Sequence, residues 1–317
     1  MMNKRPLGNT GINVSPLILG GNVFGWTADR TRSFELLDRF LDAGFEAIDT
    51  ADIYSTWAPG NRGGESERII GEWMASRRSR ERVIVITKVG MELAPDEKGL
   101  SAAWITKAVE GSLRRLQTDR IDVYFSHIFD DNVPVEETLG AYERLIAAGK
   151  VHAIGASNHS PDQLKHALDV ARRTGLPRYS VLQPLYNLYD RAAFEEGLRD
   201  LARSEGLGVI PYFGIARGFL SGKYRTAGDL SKSPRGGGIA TYMNARGMAI
   251  LKALDEVAAA HGARPAEVAL AWLMAREGVT APIASATRLD QLESLMSATR
   301  LSLSEAEIND LDQASSY

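Results

Sequence analysis

Short apolar runs recur through the whole sequence, and each has the length of a buried β-strand. They are apolar at successive positions rather than at alternate ones, which is typical of strands that are covered on both faces. Eight such runs are present, at residues 15–21, 45–52, 82–89, 121–127, 150–158, 180–187, 208–214 and 281–286.

The segments between these runs carry apolar residues at helical spacing. Phe34, Leu37 and Leu41 are one example, and similar spacing recurs within residues 105–116, 139–146, 164–171 and 268–274. Two predicted helix starts have good capping residues. These are Ser160 followed by Pro161, and Ser304 with Glu307 three residues on.

Alternating strands and helices predict an α/β fold with a parallel sheet, and a count of eight strands favours a closed (β/α)8 barrel of the TIM type. We expect one barrel domain over residues 1–317. The LGNTG stretch at residues 7–11 predicts an N-terminal β-hairpin that caps the barrel floor. Two connections, 55–65 and 222–241, are long and rich in Gly and polar residues, so we expect long loops at the carboxyl-end face. The basic run at 77–82 is interpreted as a solvated helix end.

Composition narrows the class of protein. The chain has 317 residues, of which 44% are hydrophobic and 24% charged, as in a folded protein with a large core. A net charge of −3 argues against electrostatic capture of nucleic acid or an anionic membrane. The absence of cysteine excludes disulfides, thiolate metal sites and a cysteine nucleophile. No apolar stretch approaches the roughly 18 residues of a membrane span, so we expect a cytoplasmic protein with no membrane partner. Its five histidines are scattered, and no metal site is predicted.

Polar side chains follow several of the predicted strands. Asp49 and Tyr54 follow the second strand, Lys88 lies at the end of the third, and His127 ends the fourth. Alone, each could be a capping or surface group, but in an α/β barrel all four converge on one mouth. A cationic Lys88 would lower the pKa of the Tyr54 phenol and make it a usable general acid. Asp49 would hold Lys88 charged, and a neutral His127 could donate a hydrogen bond to the oxygen that Tyr54 protonates.

These residues and their surroundings resemble the aldo-keto reductase family. The stretches DTADIY, ITKVG, DVYFSH, GKVHAIGASN, QPLYN and YFGIARGFLSGKY carry the resemblance, which covers roughly residues 4–314. It implies a catalytic tetrad of Asp49, Tyr54, Lys88 and His127. Tyr54 would donate a proton to a carbonyl that receives hydride from NADPH, with NADH less favoured. The stretch WAPGNRGGESERIIGEW resembles bacterial members that reduce carbonyl compounds.

The cofactor site follows partly from chemistry and partly from the resemblance. Ser157, Asn158 and Gln183 offer the hydroxyl and amide groups that fix a carboxamide, and Tyr212 offers a flat face for a nicotinamide ring. No GxGxxG follows an early strand, so the barrel itself would bind the cofactor. The complete predicted cofactor set is Gly21, Asn22, Asp49, Ser157, Asn158, Gln183, Tyr212, Phe213, Gly214, Ile215, Arg217, Gly218, Lys223, Ser285, Thr287, Arg288 and Gln291.

The sequence departs from the family pattern at two places near this site. Phe213-Gly214 stands where relatives usually carry Ser-Pro, and Leu295 stands where an adenine-binding Asn is often found. We expect an altered loop at the first place and a weakened adenine contact at the second. The guanidinium of Arg288 would pair with a 2′-phosphate, which favours NADPH.

The expected partner is a small carbonyl substrate. The predicted substrate-binding residues are Trp26, Tyr54, Trp57, His127 and Phe129, although the three loop aromatics could equally pack against the barrel rim. Two other functions stay open. The chain could be a nicotinamide-binding sensor that resembles potassium-channel β subunits, or a barrel isomerase or lyase that uses Lys88 as a Schiff base.

Overall fold

The fold was analysed on a computed structural model, which describes residues 3–233 and 236–317. Two short antiparallel strands precede eight parallel ones. The strands are β1 (Arg5–Pro6), β2 (Asn13–Val14), β3 (Ile18–Gly20), β4 (Ala47–Asp49), β5 (Ile84–Val89), β6 (Ile121–Ser126), β7 (Val151–Ser157), β8 (Val181–Gln183), β9 (Gly208–Val209) and β10 (Ile283–Ala284).

The eight parallel strands form one sheet in the order β10-β3-β4-β5-β6-β7-β8-β9. The two edges of this sheet meet, because the N–H groups of Thr280 and Ala281 donate to the carbonyl of Val209 and that of Ile283 donates to Pro211. The sheet is therefore closed, and the predicted (β/α)8 barrel is confirmed.

Helices follow the strands and cover the outside of the barrel. They are α1 (Arg30–Asp42), α2 (Glu65–Arg77), α3 (Ala102–Leu116), α4 (Val135–Ala147), α5 (Pro161–Thr174), α6 (Ala192–Glu195), α7 (Leu198–Ser204), α8 (Ala245–His261), α9 (Pro265–Ala275), α10 (Leu289–Ser297) and α11 (Glu305–Ala314). Ser160 and Ser304 cap α5 and α11, as predicted, and Ser304 forms the predicted capping box with Glu307. Ser160 also forms a capping box with Gln163, which was not predicted. Within the described residues, no helix has the length and apolar character that crossing a bilayer requires.

The strands bury apolar side chains on both faces, which is why their sequences read as continuous apolar runs. On β6, Val123 and Phe125 point into the barrel, while Tyr124 packs outward in the layer beneath the helices. Phe125 fills the barrel over Gly155. A Cβ atom at position 155 would lie only 2.4 Å from the Phe125 ring, so a larger residue does not fit there.

The predicted hairpin closes the amino-terminal end of the barrel. β1 and β2 pair in antiparallel register, and Leu7 and Val14 are fully buried in the interior cluster. The Arg5 guanidinium donates to the carbonyls of Met274, Val279 and Thr280 at 3.0, 3.3 and 3.3 Å. The hairpin is thereby tied to the segment that leads into the last strand.

One of the two long predicted connections differs from expectation. The 222–241 segment contains three short 3-10 helices, Ala227–Lys232, Gly236–Gly238 and Ala240–Tyr242, so most of its described part is not irregular. Its residues 234 and 235 lie outside the described residues.

The 55–65 loop ends where α2 begins. The basic run is a helix end, as predicted, because α2 stops at Arg77, whose guanidinium pairs with Asp38.

Candidate active site

Four polar side chains meet at the carboxyl-end mouth of the barrel. Asp49 is the last residue of β4, Lys88 the last but one of β5, and His127 follows β6 directly. Tyr54 lies in the loop that leaves β4. The structure therefore brings together all four members of the predicted tetrad.

Lys88 lies at the centre of this group and is fully buried. Its ammonium donates to both oxygens of Asp49 at 2.7 and 2.8 Å, to the carbonyl of Thr50 at 2.7 Å and to the Tyr54 hydroxyl at 3.0 Å. Burial lowers the pKa of Lys88, and the negative charge of Asp49 opposes that effect. The bidentate contact with Asp49 fixes the direction of the Lys88 side chain.

The Tyr54 hydroxyl donates to the Asp49 carboxylate, 3.2 Å away, as well as accepting from Lys88. Burial raises the pKa of Tyr54 well above its usual range, and the negative charge of Asp49 adds to the increase. The expectation that Lys88 brings this pKa down was wrong. The Lys88 charge is neutralised by Asp49 at shorter range, so desolvation dominates and Tyr54 is held protonated.

His127 faces the same space, with its ring centroid 6.1 Å from that of Tyr54. Burial lowers the pKa of His127 well below its usual range, and the nearby Lys88 cation lowers it further. The imidazole is therefore neutral near pH 7, as the sequence argument requires. Its Nδ1 atom is buried without a hydrogen-bond partner among the described residues.

A second group of charges lies behind the tetrad. Asp52 is buried, and neither of its carboxyl oxygens accepts a hydrogen bond from a described residue. By contrast, the buried Glu67 carboxylate accepts from Thr87 and Arg115, each at 2.6 Å. Burial, followed by the charge of Glu67, raises the pKa of Asp52 well above its usual range. The fold thus disfavours ionisation of the Asp52 carboxyl group.

The tetrad opens into a cavity of about 480 Å³ that runs across the barrel mouth. Its lining contains many of the residues predicted to bind cofactor. Those residues are Asn22, Asp49, Ser157, Asn158, Gln183, Tyr212, Phe213, Gly214, Ile215, Arg217 and Ser285. Gly21 lies beside the cavity, with its N–H donating to the carbonyl of Asp49 at 2.7 Å.

The Tyr212 ring is held in place by its hydroxyl, which donates to Asn158 Oδ1 at 2.8 Å. The Asn158 amide nitrogen in turn donates to the carbonyl of His127 at 2.8 Å. Asn158 adopts a left-handed backbone with φ of 54°, which is uncommon outside glycine. These contacts fix an aromatic face at one wall of the cavity, the surface that a flat ring would stack on.

Ser157 and Gln183 complete this wall. The Ser157 hydroxyl donates to the backbone carbonyl of Gln183 at 2.9 Å, and the Gln183 amide nitrogen donates to Asp49 Oδ1 at 2.8 Å. Together with Asn158 they supply hydroxyl and amide groups of both donor and acceptor type. This is the chemistry that a primary carboxamide needs, so the residues present fit a nicotinamide.

The backbone after Tyr212 is strained. Phe213, Ala216 and Arg217 have φ values of 55°, 46° and 57°, in the left-handed region where each costs about 1–3 kcal/mol. Gly214 sits tightly against α9, and a Cβ atom there would lie 3.0 Å from Leu273. The Phe213-Gly214 pair therefore belongs to a strained loop that packs against α9. The expectation that the shape of this loop differs from that in relatives stays a prediction. Strain of this kind concentrates at binding sites.

A second cavity, of about 310 Å³, continues from the first. Five basic residues line it, namely Arg217, Lys223, Lys232, Arg264 and Arg288, and no acidic residue is among its described lining. The predicted Gly218, Ser285, Thr287 and Gln291 line it too, as does the buried Leu295. Such a pocket suits a polyanionic group, and a phosphate monoester above all.

Two of these cations, Lys232 and Arg264, were not predicted. Arg264 stands immediately before α9, where the Pro265 that opens the helix was a usable signal of a helix start near the mouth. Lys232 lies in the 222–241 segment, and the composition of that segment did not indicate which of its residues would face the cavity. The positive charge of Arg288 is partly neutralised, because its guanidinium donates two hydrogen bonds to the Asp290 carboxylate, both at 2.9 Å.

The predicted substrate-binding residues divide into three groups. Tyr54, His127 and Trp57 line the first cavity, and Trp26 borders an adjoining one. Phe129 lines neither and packs edge-on against His159, with ring centroids 5.3 Å apart. Two apolar lining residues that the sequence argument did not name are Ile53 and Met91.

No group of three or more His, Asp or Glu side chains within the described residues is arranged to hold a metal ion.

Comparison with known proteins decides the family. The sequence profile of the Aldo/keto reductase family matches residues 16–316. This chain belongs to the aldo/keto reductase family. Members similar to it include an uncharacterized oxidoreductase, YrpG, of Bacillus subtilis (strain 168), which is 34% identical over 94% of this chain and 91% of its own length.

Other similar members of the family have named activities. The norsolorinic acid reductase of Aspergillus flavus is 31% identical over 98% of this chain and 80% of its own length. The L-glyceraldehyde 3-phosphate reductase of Escherichia coli (strain K12) is 30% identical over 98% of this chain and 92% of its own length. The chain is thus an oxidoreductase of this family, whose members generally use a nicotinamide cofactor.

Proposed function

We propose that this aldo/keto reductase uses NADPH to reduce an aldehyde or ketone to the alcohol, with Tyr54 as the proton donor. The observation that carries the proposal is the buried arrangement of Tyr54, Lys88, Asp49 and His127 at one end of a cavity. Two similar proteins are named as reductases, one of norsolorinic acid and one of L-glyceraldehyde 3-phosphate, and this supports the proposal. The proposed enzyme is a single barrel domain in the cytoplasm, and its partner is a small carbonyl compound.

The roles of the side chains follow from their contacts. The nicotinamide, when bound, supplies a hydride to the carbonyl carbon. Tyr54 transfers its hydroxyl proton to the carbonyl oxygen as negative charge develops there. Lys88, 3.0 Å from the Tyr54 oxygen, stabilises the phenolate that remains, and Asp49 keeps Lys88 in position. Neutral His127 donates a hydrogen bond to the same carbonyl oxygen.

The raised pKa of Tyr54 is compatible with this role. A phenol that resists ionisation stays protonated until a strongly basic oxygen forms beside it, and an alkoxide is such an oxygen. The proton is therefore released at the step that needs it. Asn158, Ser157 and Gln183 would orient the nicotinamide carboxamide, and Tyr212 would stack against its ring.

The choice of NADPH rests on the second cavity. NADPH differs from NADH by one phosphate on the adenosine ribose, and a described lining with five basic side chains and no acidic one suits that dianion. Two of these cations are partly neutralised from outside the lining, because Arg288 pairs with Asp290 and Lys232 with Asp229. Arg264 and Lys232 extend the predicted set, while Leu295 offers adenine only an apolar contact.

The test is NADPH oxidation, followed by absorbance over a series of aldehydes and ketones, for the unaltered protein and for Tyr54→Phe. Loss of the general acid should lower kcat by about 10²-fold or more, with NADPH affinity unchanged by fluorescence titration. Tyr317→Phe serves as the matched control, because it also removes one hydrogen-bonded tyrosine hydroxyl, which accepts from the N–H groups of Arg191 and Ala192 and lines neither cavity. Turnover by Tyr54→Phe within about threefold of the unaltered protein would remove Tyr54 from the chemistry. Tight NADPH binding without turnover of any carbonyl would instead favour the nicotinamide-sensing alternative.

A further inference from the structure

Behind the cavity wall that carries Tyr212, a buried amide connects two segments of the chain. Asn187 lies in the loop that leaves β8, is fully buried, and is absent from the described lining of both cavities. Its amide nitrogen donates to the backbone carbonyl of Phe213 at 3.0 Å and to Asp190 Oδ2 at 2.9 Å. Its amide oxygen accepts from the N–H groups of Tyr189 and Asp190 at 2.8 and 2.9 Å. All four hydrogen bonds that this amide can form are therefore made inside the protein.

The bond to Phe213 holds the strained start of the segment 213–219, which we call the cofactor loop. Phe213 has a left-handed backbone, with φ of 55°, although it carries a bulky side chain. Its carbonyl accepts from the N–H of Ala216 at 2.7 Å within the loop, whereas the Asn187 amide ties the same carbonyl to another segment of the chain. A strained conformation persists only where its surroundings over-determine it, and Asn187 supplies part of that constraint.

The Asn187 amide is itself held from its far side. Asp190 Oδ2 accepts from Asn187 and also from the Tyr242 hydroxyl, 3.0 Å away. Tyr242 is buried and stacks on Phe219, with ring centroids 5.6 Å apart and ring planes inclined by 21°. We call Asn187, Asp190 and Tyr242 the rim clamp. The rim clamp thus contacts the cofactor loop both at its first residue, Phe213, and at its last, Phe219.

The cofactor loop borders both of the cavities assigned to the cofactor. Phe213 and Gly214 line the first cavity, and Arg217 lines both. The loop must therefore adopt one conformation when a dinucleotide binds. A loop that is already held in that conformation loses less conformational entropy on binding than a loop that binding must order.

We propose that Asn187 is a positioning residue for the cofactor, and that through the rim clamp it holds the Phe213 backbone in the conformation that binds the nicotinamide half of NADPH. The proposal rests on the proposed use of a nicotinamide cofactor and adds to it a residue that touches neither cofactor nor substrate. NADH shares this half of the molecule, so its affinity depends on Asn187 equally. If loss of the clamp reduces the binding conformation to about a tenth of the population, Kd rises about 10-fold.

The first test is Asn187→Asp, which removes the amide donor with almost no change in size. We expect Kd for NADPH and Kd for NADH, from fluorescence titration, each to rise about 10-fold. Kd for adenosine 2′-monophosphate, from calorimetry, should stay within about twofold, because this fragment lacks the nicotinamide half. The value of kcat at saturating NADPH should stay within about threefold, because the tetrad is untouched. Asn309→Asp, at an exposed position on α11, is the matched control and should change none of these quantities.

An exchange of two side chains separates positioning from stability. Asn187→Asp combined with Asp190→Asn restores a hydrogen bond between positions 187 and 190, now donated by position 190, and keeps the charge of the pair. It still leaves the Phe213 carbonyl without its side-chain donor. We expect urea unfolding to show recovery of most of the stability lost in Asn187→Asp, while both Kd values stay about 10-fold raised. Recovery of cofactor affinity together with stability would make Asn187 merely structural and overturn the proposal. The exchanged pair also carries the test if Asn187→Asp alone does not fold.

The binding measurements separate this proposal from the proposed reduction. If the cofactor binds but no carbonyl compound is reduced, the reductase proposal fails, and the Kd values alone decide on the rim clamp. Unchanged Kd values in Asn187→Asp would overturn the clamp, as would a rise for NADPH with none for NADH, which would move the effect to the basic cavity. If the unaltered protein binds neither cofactor, both proposals fail.

Discussion

The Lys88 ammonium lies 3.0 Å from the Tyr54 hydroxyl and simultaneously bonds both oxygens of the buried Asp49 carboxylate. The two charges are mutually dependent, because each is fully buried and has the other as its closest counter-ion. Any change to one of them is therefore expected to affect folding as well as chemistry.

Replacement of Lys88 by Met should separate these two effects. The variant leaves Asp49 buried without its counter-ion, which is expected to cost about 3–5 kcal/mol of unfolding free energy. It should also lower turnover by about 10²-fold or more, because the Tyr54 phenolate loses its stabilising cation. Adding Asp49→Asn should restore most of the stability and none of the activity. Urea unfolding and NADPH oxidation measure the two quantities, and recovery of activity in the double variant would contradict the assigned roles.

Asp52 gives a prediction about stability and pH. Its pKa is raised in the folded protein, so the folded state holds this proton more tightly than the unfolded chain does. The associated stability is fully present below the unfolded pKa of about 4 and is lost as the pH rises towards the folded pKa. Asp52→Asn should remove that loss, and the variant should gain stability relative to the unaltered protein as the pH increases from 5 to 8. Urea unfolding at several pH values measures this, with Asp131→Asn, an exposed carboxylate, as control. A constant difference across this range would show that Asp52 does not titrate as proposed.

The buried His159 is expected to affect stability with the opposite dependence on pH. Burial lowers the pKa of His159 from its usual 6.5 to about 4, so the folded protein resists a proton that the unfolded chain accepts. The contribution is fully present above pH 6.5 and is lost as the pH falls towards 4. We expect His159→Gln to reduce the acid-side slope of unfolding free energy by up to about 1.4 kcal/mol per pH unit. His166→Gln, at an exposed position on α5, should leave that slope nearly unchanged.

The basic cavity predicts how the protein distinguishes its cofactors. Arg264→Gln removes a guanidinium from the pocket assigned to the 2′-phosphate, so KM for NADPH should rise about 10-fold, as expected for the loss of one charge-assisted contact. KM for NADH should change little, because that cofactor lacks the phosphate. Steady-state kinetics with both cofactors and one aldehyde measure the ratio. An equal rise for NADPH and NADH would place Arg264 outside the phosphate site.

Much of the fold could be predicted because parallel strands buried on both faces leave continuous apolar runs. All eight runs contain a strand, but every strand is shorter than its run. The 208–214 run supplies only Gly208–Val209, since Pro211 has no N–H to donate and the chain then turns into left-handed conformations at Phe213. The helical spacing did not pick out α6, α7, α8 or α10, although α8 and α10 carry buried apolar positions, and only the basic run at its end indicated α2.

The members of the tetrad could be predicted from position alone, since strand ends converge in a barrel. The direction of the pKa shift of Tyr54 could not be predicted. Lys88 lowers this pKa, whereas Asp49 and burial raise it, and the balance between them is set by distances of a few tenths of an ångström. Lys232 and Arg264 lie 32 residues apart in sequence and share a pocket only through the path of the connecting segments. The loops that carry Trp26 and Trp57 are joined by the Asn61 amide and the Ser55 hydroxyl, and no pattern in the sequence singles out either residue.

The hydrogen bonds of the Arg5 guanidinium affect when the barrel can close during synthesis. The guanidinium bonds to carbonyls 269, 274 and 275 residues further along the chain. During synthesis, the hairpin leaves the ribosome long before residue 280, and this contact cannot form until residue 280 has followed it. The floor of the barrel is therefore expected to close only after all eight strands have at least begun to emerge, and the early strands can pair only partially and reversibly until then.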